Sequence, residues 1–110
     1  MPACLVHCTC PDAETATRIA QAVVSEHLAA CVSVLPGVRS LYRWEGAVEQ
    51  ADEMLLLAKT TLARLDALTA RIQELHPLEL PEVIAVEVVG GSAAYLAWVA
   101  EATVPGADAP

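Results

Sequence analysis

The sequence is poor in cations. Six Lys and Arg stand against 14 Asp and Glu among 110 residues, giving a net charge of −8. Phosphate binding rests on clustered cations, so DNA and RNA are excluded as partners. An acidic surface can attract metal cations, but its plain consequence is solubility. No apolar run approaches the roughly 20 residues that a spanning helix needs, which excludes a membrane partner of that kind. The start at Met1 lacks the basic, apolar, small-residue pattern of a secretory signal, so the expected setting is cytoplasmic. Catalytic signatures are missing as well: there is no GxSxG, Walker-type glycine loop, HExxH or paired CxxC zinc set. The MxCxxC loop of copper carriers is also absent. The chain therefore reads as a binding protein, not an enzyme.

What the sequence does have is apolar bulk, 55% of its residues. A chain of this length makes one domain, expected over residues 1–103, with a frayed tail over 104–110. So much apolar surface on so small a domain needs somewhere to go. With lipid excluded, the destination is a protein interface, and the expected form is an obligate oligomer. The cysteines are Cys4, Cys8, Cys10 and Cys31, expected as free thiols in a reducing compartment. Cys8 and Cys10 fall on one face of a strand, about 6.5–7 Å apart at Cα, at the edge of what a disulfide tolerates.

Along the chain, Ala3 to Cys10 reads as a buried strand, and Asp12 as the N-cap of an amphipathic helix carrying Ala16, Ile19, Ala20, Val23, Val24 and Leu28. Cys31 to Leu35 is a strand bent at Pro36-Gly37. Val38 to Trp44 and Ala47 to Lys59 form the arms of a long hairpin around Glu45-Gly46. Thr60 or Thr61 caps a second helix with the stripe Leu65, Leu68, Ile72 and Leu75. That helix must stop near His76, because Pro77 pushes the residue before it out of the α region. Val83 to Val89 is a strand, and Ser92 caps a last helix over Ala93 to Ala102. The order β-α-β-β-α-β plus a C-terminal helix predicts an α+β, ferredoxin-like sandwich with one sheet face left bare.

Five stretches, LAACV, PGVRSLYRWEG, LLLAKT, HPLELPE and YLAW, stand in order and at a spacing that resembles the CutA family, the divalent-cation-tolerance proteins. The likeness runs from about Val6 to Ala102. It implies a ferredoxin-like protomer in a tight homotrimer of PII-like shape, a cytoplasmic setting and a copper-binding role in divalent-cation tolerance. Residue by residue, it implies Cys8 and His76 as metal ligands. Leu75 and Leu78 stand where relatives place a second histidine and a tyrosine, which removes one imidazole and one phenol from the site.

The residues themselves leave alternatives. His76 suits either a ligand or a group that caps the helix end. Thiolate and imidazole together suit copper or zinc, with further ligands from Cys10, a carboxylate, water or a neighbouring subunit. Cys4 and Cys31 read as small hydrophobes. A second constellation, Lys59, Glu82, Trp44, Tyr95 and Trp98, either lines an inter-subunit cleft or is structural. In the structural case Lys59 pairs with Glu82 and the aromatics anchor the core or an interface. The alternative function that goes with the cleft is a PII-like sensor or adaptor for a small metabolite.

Overall fold

The computed structural model describes residues 2–106. Its elements are β1 (Ala3–Cys10), α1 (Ala13–Ser25), β2 (Cys31–Trp44), β3 (Ala47–Thr61), α2 (Leu65–Leu75), β4 (Val83–Glu87) and α3 (Ala93–Ala102), with a 3₁₀ turn at Leu62–Arg64. The four strands form one antiparallel sheet in the order β2-β3-β1-β4. This is the α+β, ferredoxin-like arrangement the element order predicts, with α3 as the added helix. No helix among the described residues is long and apolar enough to cross a membrane.

Strand β1 runs through the middle of the sheet and alternates strictly, with Cys4, Val6, Cys8 and Cys10 buried. Those four side chains meet Ala16, Ile19 and Val23 of α1, Leu68 and Ile72 of α2, and Leu56 and Ala58 of β3 in one core. Burying each of the larger aliphatic side chains stabilises the fold by roughly 1.5–3 kcal/mol. Pro11 follows β1 and has no N–H to continue the ladder. Asp12 then caps α1, its carboxylate accepting from the Thr15 amide at 2.7 Å. α1 ends at Ser25, and Leu28 enters the core from the loop beyond it.

Strands β2 and β3, 14 and 15 residues long, outrun the 8-residue β1. The β1–β3 ladder ends at Cys10↔Met54, so β3 before Met54 pairs only with β2. The register slips between Leu35 and Val38, which marks the expected bend at Pro36-Gly37 as a bulge. Glu45 and Gly46 close the hairpin at φ 49° and 82°, the positive pair of a two-residue type I′ turn.

Two boundaries differ from the sequence reading. Neither threonine caps α2 with its side chain. Thr61 precedes the 3₁₀ turn without a cap bond, and the buried Thr60 donates its hydroxyl to the Leu28 carbonyl at 2.7 Å. The competing side-chain-to-backbone bond won. Strand β4 ends at Glu87 instead of Val89, after which the Val88 amide makes one last bond to the Ala3 carbonyl, at 3.0 Å. The tail is exposed at 104–106, and its remaining residues lie outside the described ones.

The face opposite α1 and α2 carries Leu5 and His7 of β1, Leu55, Leu57 and Lys59 of β3, and Ile84 and Val86 of β4. Ile84 and Val86 are 57% and 51% exposed. α3 covers one end of the sheet, where Val99 is buried and Leu96 and Tyr95 stand beside Ala3 and Lys59. The rest of that face is open and, His7 apart, apolar.

Candidate metal centre

The site begins with a mismatch in strand length. Carbonyls of odd-numbered β1 residues face β4, as the Ala3 bond to Val88 shows. Strand β4 begins at Val83, opposite Cys8, so the Thr9 carbonyl is the first one beyond its reach. A buried carbonyl without a donor costs about 1–3 kcal/mol. His76 supplies that donor: its Nε2 lies 2.8 Å from the Thr9 oxygen.

His76 arrives there because of Pro77. The helix ends at Leu75, and His76 is extended at φ −80° and ψ 132°, the conformation a following proline favours. Its amide still bonds the Ile72 carbonyl. Its side chain does not cap the helix, contrary to the structural alternative. The Leu75 carbonyl is taken instead by the Arg18 guanidinium at 3.1 Å. The second ring nitrogen, Nδ1, accepts from the Leu78 amide at 3.2 Å. Acceptance at Nδ1 and donation from Nε2 together define a neutral imidazole with its proton on Nε2.

The strand alternation that turns the odd-numbered Thr9 carbonyl toward His76 turns the even-numbered Cys8 and Cys10 side chains inward beside it. The two sulfurs and an imidazole nitrogen lie within 4.8 Å of one another. Cys8 is 1% exposed, Cys10 0% and His76 7%. The two thiols titrate together. The hydrogen bond between them pushes Cys8 up and holds Cys10 down, because one sulfur can keep the proton that steadies the other's thiolate. Burial opposes ionisation of both, and Glu82 and Glu53 oppose it further at Cys8. Arg18 favours the Cys10 thiolate.

Metal–sulfur and metal–nitrogen bonds of about 2.0–2.3 Å bridge donors up to about 4.6 Å apart. Donors within 4.8 Å of one another are therefore near enough for one ion to draw together. Two thiols and an imidazole also have the chemistry soft and borderline ions select. The residues fit a metal of that class.

The model of the CutA1 divalent ion tolerance protein family matches residues 4–102. The chain belongs to the CutA1 family. The divalent-cation tolerance protein CutA of Thermus thermophilus is 45% identical over 95 residues, covering 86% of this chain and 92% of its own length. The chloroplastic Protein CutA 1 of rice is 43% identical over 103 residues, or 94% of this chain, but this chain spans only 58% of that protein. Among solved structures, CutA1 from Oryza sativa superposes with a TM-score of 0.92 at 42% identity, covering 94% of this chain and 95% of that one. These likenesses extend over the sheet, both core helices and α3.

The second constellation divides in the protomer. Lys59 and Tyr95 line one cavity of about 250 Å³ together with Gly90, Gly91 and Ser92. The Lys59 ammonium donates to the Ser33 hydroxyl and lies 3.8 Å from the Cys31 sulfur. Cys31 is accordingly half-buried beside polar groups, unlike Cys4, whose burial pushes its thiol up. Trp98 packs on Tyr95 with ring centroids 5.4 Å apart. Both rings are more than two-fifths exposed, so they are not core anchors. Glu82 lies elsewhere. It adjoins Val83, opposite Cys8, while Lys59 is opposite Leu5, so the register separates the expected Lys59–Glu82 pair. Trp44 lies at the hairpin turn, paired with Ala47.

Glu82 instead acts through its charge on the Cys8 thiol. Cys10, left open by the sequence, has its sulfur in the same buried cluster as Cys8 and His76. The signal was present in the C-x-C alternation on a buried strand; what the sequence withheld was which face His76 would reach.

Proposed function

We propose that this chain works as a homotrimer that binds copper, or a related ion such as zinc, through Cys8 and His76, and serves divalent-cation tolerance by binding, not catalysis. The observation that carries this reading is the convergence of buried thiol and imidazole donors at the end of β1. The protein's share of the work is to hold the donors in a dry site, to fix the ring through the Thr9 carbonyl, and to exclude competing oxygen ligands. A bound soft ion would have its positive charge balanced by the thiolate formed as the thiol proton is released to solvent. A reducing compartment such as the cytoplasm suits this role, since it keeps the four free cysteines as thiols.

The experiment is a copper titration of the reduced, tag-free protein against a competing chelator, with the N-terminal amine blocked. Cys8→Ala and His76→Ala are run alongside. Binding that disappears in both variants is the expected result. Weak binding that survives both would make copper incidental.

A second reading, a PII-like sensor or adaptor, is favoured by the cavity lined by Lys59 and Tyr95. Nucleotides and organic acids are the probes for it. Failure of all of them to bind the assembled protein would remove it.

A further inference from the structure

We propose that Cys10 is a third ligand, and that the centre formed by Cys8, Cys10 and His76 is built for Cu(I). The inference rests on the metal-binding reading above and goes beyond it by assigning both the ligand set and the oxidation state of the ion. The family resemblance calls for Cys8 and His76 alone. Cys10 enters because the strict alternation of β1 brings its sulfur to the same buried side as that of Cys8. Its sulfur lies within 4.8 Å of the other two donors.

The choice of ion follows from counting donors. Zn(II) in a closed protein site takes four ligands in a tetrahedron, and Cu(II) takes four or more nitrogen and oxygen donors in a tetragonal plane. Among the described residues no carboxylate joins the cluster, although Glu53 and Glu82 are near enough to act on the Cys8 thiol through charge. The donors are nearly inaccessible to solvent, so water is a poor source of a fourth ligand. A closed-shell, thiophilic ion satisfied by two sulfurs and one nitrogen matches what is present, and Cu(I) is that ion.

The test uses the reduced full-length protein under anaerobic conditions with Cu(I) buffered by bicinchoninate. It compares wild type, Cys10→Ser, Cys10→Ala, Cys8→Ser and His76→Ala. X-ray absorption of the wild-type copper complex counts the sulfur ligands without relying on any variant. The expected result is one Cu(I) per chain bound through two sulfurs and one nitrogen, with both Cys10 variants weakened more than about tenfold. One sulfur in the wild-type spectrum, or Cys10 variants that bind like wild type while Cys8→Ser and His76→Ala do not, would overturn the role of Cys10 and leave the metal reading standing. Tighter binding of Zn(II) than of Cu(I), measured with a zinc-responsive chelator, would overturn the choice of ion. Failure of wild type to compete for either metal would remove the metal reading itself.

Discussion

At the scale of the residue, His76 carries a conflict that the proposed metal binding must resolve. Its Nδ1 accepts from Leu78 and its Nε2–H donates to Thr9. A metal on Nδ1 displaces the Leu78 amide directly. A metal on Nε2 forces the neutral ring to carry its proton on Nδ1, which then faces the amide donor to donor. Either way the Leu78 bond is lost. Coordination through Nδ1 keeps the bond to the Thr9 carbonyl, the kind of outer partner that fixes ligating histidines. Saturating metal should therefore speed hydrogen exchange at the Leu78 amide, read by NMR, with no such change in His76→Ala. His76 and Cys8 were legible in the sequence as residue types in a motif. The Thr9 carbonyl was not, because its need for a donor arises only from where β4 begins.

At the scale of the element, the caps show what local pattern can and cannot decide. Asp12 and Ser92 cap α1 and α3 as their sequences predict, since each is a short polar residue directly before an apolar periodic run. Thr60 and Thr61 look equally suitable, but the β3 ladder holds both in the strand and α2 begins only at Leu65. Tertiary pairing overrode a local preference. The Asp12 cap also has a consequence for pH. Bonds from the Thr15 amide and hydroxyl hold its carboxyl below the ordinary carboxylate range. A depressed folded-state pKa gives stability that is present above the unfolded-state pKa and lost as pH falls through the folded one. Asp12→Ala should thus lower the urea midpoint at neutral pH, and its gap from wild type should narrow on acidification. Asp12→Asn should keep the cap while losing that pH dependence.

At the scale of the whole molecule, the sheet order and the bare face were legible because both follow from element order and handedness. The separation of Glu82 from Lys59 was not, since it depends on registers that no local pattern sets. The open face and the hairpin that outruns β1 leave Leu41 and Val48 64% and 67% exposed. Sedimentation equilibrium should give three times the 11.6 kDa chain mass. Leu57→Glu, which places a charge on the open face without touching the core beneath α1 and α2, should shift the mass toward the monomer.

The central place of β1 has one more consequence, for folding. The β2–β3 hairpin needs only a two-residue turn, and its contacts are local. β1 is the first strand in chain order, yet its partners, β3 (Ala47–Thr61) and β4 (Val83–Glu87), lie far from it in sequence. Closing those long loops is the slow, entropically costly step. Cys8 and Cys10 sit on β1, and His76 lies on the corner leading into β4. The donor cluster therefore comes together only when the last loop closes. In a refolding experiment, tight metal capture would be a clock for the final event, silent while the hairpin and helices form.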